Sequence, residues 1–234
     1  LFGGVLSAPI IKRDPARVGR APYGQDRTEE AGPDRGGEGV SLREAISTSK
    51  FWIFFATGFC YGYCVFTIMV HLTPHAIESG ISAIRAASIL STIGCFSIAG
   101  KLLMGRMGDR VGNRRTLMLG FILMSLALIG LVSARTGWML FLIAGLFGFA
   151  FGGVAVSHSP LVAELFGLRS HGVIFGVLGM GVGLGGGMGP YLTGHLFDVT
   201  DSYRMAFLLC AGISLTGILF AAFLRRADQA SAHA

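Results

Sequence analysis

Six apolar runs, each long enough to cross a hydrocarbon layer, govern what this chain can become. A helix needs about 20 apolar residues to span a bilayer core, and runs of that order occupy 51–73, 84–106, 116–133, 138–158, 173–196 and 205–224. Inside lipid every backbone amide must find its partner within the protein, which leaves helices as the solution for runs of this length. The predicted fold class is all-α integral membrane. Composition agrees: 14% of the 234 residues are charged, where a soluble domain carries about 25%.

The charges are distributed as orientation signals. The segment 11–50, the 105–115 and 159–172 loops and the tail hold fifteen of the 19 Lys and Arg, and the alternate loops hold Arg85, Arg135 and Arg204 alone. Cytoplasmic loops carry the excess of Lys and Arg, so the linker and the C-terminus are placed in the cytoplasm, with the plasma (inner) membrane as the expected location. Six spans return the chain to its starting side, in agreement with that count. A net charge of +6 does not indicate nucleic acid, because the bases sit at the ends of apolar runs and form no wet, aromatic-interleaved patch.

The divisions follow from the same pattern. Residues 1–10, apolar but too short to span, read as the end of a preceding transmembrane helix and therefore as part of a longer protein. Residues 11–50 read as a central cytoplasmic loop, flexible over 11–40 in view of its Pro, Gly and charged residues. Within it Ser41 and Glu44 form an S-x-x-E capping box, which predicts a short helix over about 42–49. Residues 51–224 form the six-span bundle and 225–234 a cytoplasmic tail. Cys60, Cys64, Cys95 and Cys210 all fall inside apolar runs with neither zinc nor redox spacing, so they are expected to be packing residues without disulfides.

The spans differ in what they carry. Those at 116–133 and 205–224 have no charge, His or Tyr, and are expected to face lipid. Tyr61, Tyr63, His71, Lys101 and His158 lie in others, where polar groups belong toward the bundle interior or an aqueous cavity. Lys101 stands eight residues before Asp109, about 12 Å deeper along a helix, and no acid lies one turn away, since Ser97 and Gly105 occupy those places. An ammonium snorkelling to the interface is the alternative for it. The fifth span has ten glycines between 172 and 194. Gly176, Gly179, Gly183 and Gly187 fall on one face with Gly172, a seam that would allow close helix approach, with bending expected near Gly185–Gly187 and Pro190. No H-E-x-x-H, G-x-S-x-G or intramembrane carboxylate pair is present, and Gly185–Gly189 lacks G-K-[ST]. The chain is not expected to be an enzyme, or to hold a metal or cofactor.

Residues 105–115 read GRMGDRVGNRR. This resembles the signature loop of the major facilitator superfamily, G-x-x-x-D-R-x-G-R-[RK], at Gly105, Asp109, Arg110, Gly112 and Arg114, with Asn113 departing where a base is usual. The segments at 70–82, 100–115, 164–179 and 188–203 are similar to the monocarboxylate and oxalate/formate porters within it. The resemblance covers roughly 41–224 and implies the second six-helix half of a twelve-helix fold, with an N-terminal six-helix half as partner. It further implies a secondary active transporter moving a small organic anion, a monocarboxylate, by alternating access at mid-membrane. The signature residues then form a gating loop, with Asp109 meeting a neighbouring helix N-terminus and Arg side chains. Lys101 corresponds to the family's substrate-binding Arg, and Ser97 to an Asp of the proton-coupled porters. Tyr61, His71 and His158 join Lys101 and Ser97 as candidate substrate-binding residues. Two alternatives stay open: a facilitator of an unrelated small solute, and a membrane sensor on the same fold that moves nothing.

Overall fold

In the computed structural model the described residues are 39–134 and 136–231, with side chains described through Leu224. They fall in one compact unit and form seven helices: α1 Leu42–Ile46, α2 Ser49–Glu78, α3 Ala83–Val111, α4 Asn113–Ser133, α5 Gly137–Phe166, α6 His171–Thr200 and α7 Tyr203–Ser231. The expected helix end at 1–10, most of the loop at 11–50 and the last three residues lie outside the described set. Six of the helices, α2 to α7, are long and apolar enough to cross a membrane.

Helix starts follow local chemistry. The capping box forms as read: Ser41 N–H donates to Glu44 Oε2 at 2.7 Å, and Glu44 N–H to Ser41 Oγ at 3.3 Å. The Ser41 amide holds the Glu44 carboxyl below its ordinary value. α1 stops at Ile46, short of the expected 49, because Thr48 becomes the N-cap of α2 and accepts from Phe51 N–H. The spans outrun their apolar runs at one or both ends: α2 continues through Pro74 to Glu78 and α5 through Pro160 to Phe166. Thirty residues make about 45 Å of helix, so polar turns project beyond the roughly 30 Å hydrocarbon layer. α6 runs as one helix from 171 to 200 through the glycines and Pro190.

The frame consists of two helix pairs in backbone contact. α2 packs on α6 and α3 on α5, while α4 packs on α5 and α7, and α7 on α2. On α6 the glycines that make contact are Gly181, Gly185 and Gly189. A Cβ on Gly181 would lie 2.7 Å from Phe55 O and one on Gly189 2.5 Å from Tyr63 O, and one on Gly185 would strike Phe59 O. Gly62 of α2 meets the Val182 carbonyl in the same way. Gly100, Gly148 and Gly152 serve the α3–α5 pair against the carbonyls of Phe149, Ile93 and Ser97.

The predicted seam makes no contact among the described residues. Gly176, Gly179, Gly183 and Gly187, with Gly172, have no atom within 4 Å of an added Cβ. At 100° per residue they point away from the face that Gly181, Gly185 and Gly189 bury. The packing glycines sit out of phase with the longest glycine row.

Small polar contacts join α7 to its neighbours: Ser125 of α4 donates to Ser214 of α7 at 2.8 Å, and Cys64 Sγ of α2 donates to Cys210 O of α7 at 3.3 Å. Cys60, Cys64 and Cys210 are buried packing residues as expected, whereas Cys95 is exposed, and all four are free thiols. The least covered spans are α3 and α6, each 28% buried, against 50% for α4 and 39% for α7. Two of the exposed faces thus lie on the helices that carry Lys101 and the bare glycines.

The phase of the seam can be tested in the full-length protein. Gly185→Ala forces a methyl into the Phe59 carbonyl and should cost about 1–3 kcal/mol. Gly187→Ala, two residues away and unopposed among the described residues, should cost less and, where no other helix meets it, should stabilise by about 0.5–1 kcal/mol, since Ala is the better helix former. Thermal melts of the purified variants read the difference; equal melting temperatures would put the seam on the wrong face.

Candidate functional site

The signature turn is built from one residue. Gly112 alone separates α3 from α4, with φ +96°, a backbone conformation that favours glycine. Thr116 Oγ1 donates to its carbonyl at 3.1 Å. Arg114 reaches across to α7, its Nε donating to Ala221 O at 2.9 Å and an Nη to Ala222 O at 3.5 Å. A Cβ on Gly105 would lie 3.7 Å from Val156 Cγ2 of α5. Asn113, the departure from the motif, donates through Nδ2 to Glu164 Oε1 at 2.7 Å, tying the turn to the end of α5. Its Oδ1 occupies the space above Gly108, where a Cβ would lie 2.5 Å from it. Gly108 and Glu164 thus belong to the turn, and the Asn at a basic position was the signal for them.

Asp109 and Arg110 are exposed. Asp109 makes no hydrogen bond or ion pair among the described residues, so the contact expected for it with a helix N-terminus is not made there. It shares a helical face with exposed Ile98 and Leu102, a face that no described helix covers.

Lys101 lies ten residues inside the α3 terminus at Val111, about 15 Å along the axis. Its side chain is exposed, and Nζ stands 6.0 Å from the centroid of the Phe151 ring. A cation at that distance over an aromatic face is held by the ring quadrupole. Phe151 stacks in turn on Tyr61, with centroids 6.1 Å apart and planes 12° from parallel, and Tyr61 Oη donates to Phe151 O at 3.5 Å. Tyr61 lies 5.2 Å from the His158 ring, which also lies 5.4 Å from Phe54. The result is a file from ammonium to imidazole across α3, α5 and α2. Phe151 was not among the sequence candidates, because a Phe in an apolar run carries no signal of its own.

Of the five candidates the structure brings three together, Lys101, Tyr61 and His158. Ser97 is buried in the α3–α5 contact, and its hydroxyl donates to Gly94 O at 2.7 Å. His71 stands ten residues from Tyr61 toward the opposite end of α2. There its Nε2 is 3.0 Å from Pro190 O, and its ring centroid is 5.5 Å from that of Tyr203. These contacts fasten α2 to α6 and α7 and do not place His71 in the Lys101 file.

His158 is buried, and its Nδ1 lies 2.8 Å from Val154 O. A carbonyl only accepts, so Nδ1 carries the hydrogen and neutral His158 offers a bare lone pair at Nε2. That nitrogen has no hydrogen-bond partner among the described residues. His158 lines a cavity of about 160 Å³ between α2, α5 and α6, together with Phe54, Tyr61, Phe175, Leu178 and Val182. Among the described residues no group of His, Cys, Asp or Glu is placed to hold a metal.

Long apolar helices in close-packed pairs, a one-residue signature turn and a cation inside a span define an integral membrane protein of the facilitator type. The chain belongs to the Major Facilitator Superfamily, whose family model matches residues 54–234. Among curated relatives, Monocarboxylate transporter 11 of Homo sapiens is 30% identical over 227 residues, covering 92% of this chain and 44% of the relative. Monocarboxylate transporter 7 of Homo sapiens is 30% identical over 181 residues, covering 75% of this chain and 34% of the relative. The chain thus spans less than half the length of these relatives. A crystal structure of a peptide transporter in complex with sulfate superposes with TM-score 0.69 at 19% identity, covering 80% of this chain and 42% of that one. At that identity the likeness is one of fold.

The Asn113–Glu164 tie can be measured by a double-mutant cycle in the full-length protein. Asn113→Ala and Glu164→Ala should couple by about 1 kcal/mol in thermal stability, the value of one hydrogen bond to a charged group at an exposed site. Strict additivity would show that the turn is held by Gly112 and Arg114 without it.

Proposed function

We propose that the full-length protein is a secondary active transporter that moves a small organic anion, a monocarboxylate, by alternating access, with Lys101 as an anion-binding charge. One observation carries this reading: an exposed ammonium about 15 Å inside a membrane-spanning helix, held over the Phe151 ring. A charge at such depth costs roughly 2.5–3.5 kcal/mol on insertion scales, and no carboxylate lies within one turn to offset it. A bound carboxylate supplies the missing countercharge. The ammonium meets it as a point charge, without the bidentate fork of an Arg. The monocarboxylate transporters among its relatives support that substrate class.

The uncovered faces of α3 and α6 support the alternating-access part. They would abut an N-terminal six-helix half, with Lys101 at the boundary between the two. The end of the bundle that holds α1, Gly112 and the α5–α6 turn is assigned to the cytoplasm, on the strength of its Lys and Arg. In this arrangement the Gly112 turn sits at the inner gate.

In the full-length protein, Lys101→Gln should reduce carboxylate uptake by about 10- to 100-fold, the value of one charge-assisted contact, while Lys101→Arg retains part of it. Radiolabelled uptake into proteoliposomes reads both. Full uptake by the Gln variant would show that the ammonium snorkels and binds nothing.

A further inference from the structure

The file from Lys101 ends in a cavity whose size and walls are more specific than an anion site requires. Its volume is about 160 Å³, and an apolar cavity of about 150 Å³ is enough to admit benzene. Phe54 and Tyr61 wall it on the α2 side, Phe175, Leu178 and Val182 on the α6 side, and His158 from α5. Three aromatic side chains in so small a space favour offset or edge contacts with another ring. His158 Nε2 is buried and has no hydrogen-bond partner among the described residues, and it is an acceptor because Nδ1 donates to Val154 O.

We propose that this cavity receives one flat six-membered ring carried by the organic anion, and that His158 Nε2 accepts a hydrogen bond from a hydroxyl or N–H on that ring. The inference rests on the reading of Lys101 as the anion site and adds the body of the substrate to it. Tyr61 links the two, since its ring lines the cavity and stacks at 6.1 Å on the Phe151 ring that carries the ammonium. Tyr61 and Phe151 thus stand between the cavity and the ammonium. A bare aliphatic acid leaves the cavity unfilled and Nε2 unpaired, and an unpaired buried acceptor is unfavourable. Gly179 lines the same cavity, and a Cβ there would meet no atom within 4 Å. The absence of a side chain at 179 keeps the space open.

The test compares uptake of acetate, phenylacetate and 4-hydroxyphenylacetate by the full-length protein. The expected order rises in that sequence. His158→Phe keeps the bulk and removes the acceptor, so the preference for the hydroxylated ring over the plain ring should fall by about three- to tenfold. Gly179→Leu fills the cavity and should remove the preference for either ring over acetate. Equal uptake of all three acids by the unmodified protein, or a ring preference that survives Gly179→Leu, overturns the proposal. Neutral phenol separates this claim from the anion reading. It should raise the melting temperature of the purified full-length protein and of its Lys101→Gln variant alike, and leave that of Gly179→Leu unchanged. Phenol stabilisation alongside full uptake by Lys101→Gln would sink the anion site and leave the ring site standing. No stabilisation of the unmodified protein would sink the ring site.

Discussion

A backbone amide in the middle of a bilayer has no water to turn to, and that constraint orders everything else here. It commits each long apolar run to a helix, and it removes the hydrophobic effect as a reason for those helices to adhere, since lipid is as apolar as their side chains. What remains is close packing. The contacts that supply it are backbone to backbone, Gly181, Gly185 and Gly189 of α6 against the carbonyls of Phe55, Phe59 and Tyr63. Removing side chains from one face lets many weak dispersion contacts accumulate along the crossing.

The second such pair sets the site. Gly152 of α5 sits where an added Cβ would be 3.0 Å from Lys101 N, so α3 and α5 touch at the level of the charged residue. The neighbour of Gly152 in the chain is Phe151, and the close approach brings its ring within 6.0 Å of the ammonium. The same crossing buries Ser97, leaving its hydroxyl a local carbonyl to satisfy. Packing thus decides which polar residue of α3 faces outward and which faces the neighbour.

Much of the fold was legible, because the physics that makes it is local in sequence. Run length and charge located six spans, and Ser41 with Glu44 located the start of α1. Helix ends were less legible: α2 and α5 carry their polar turns past Pro74 and Pro160, and apolarity says nothing about a helix outside lipid. Of the sequence candidates, Lys101, Tyr61 and His158 come together in the structure, and each had stood out as a polar residue that is expensive where it stands. Phe151 was invisible, being one Phe of 18 whose importance comes from its neighbour across a helix crossing. The glycine row at 172–187 misled for a related reason. Periodicity reveals that a face is bare but not what lies opposite it, and here the contact went to the less regular row. Ser97 was read from its correspondence to a family Asp and His71 from its polarity; in the structure Ser97 bonds a local carbonyl and His71 ties α2 to α6.

The single-residue joint at Gly112 has a mechanical consequence. Two rigid rods meet there with almost no slack between them, and Asn113 and Arg114 pin the second rod to α5 and α7. The first rod carries Lys101 eleven residues from the joint, an arm of about 16 Å. Swinging that arm by about 10° about Gly112 would carry the ammonium roughly 3 Å sideways. That is the width of one hydrogen-bond contact, and because Gly100, Gly148 and Gly152 lock α3 onto α5, the two helices would have to swing as one.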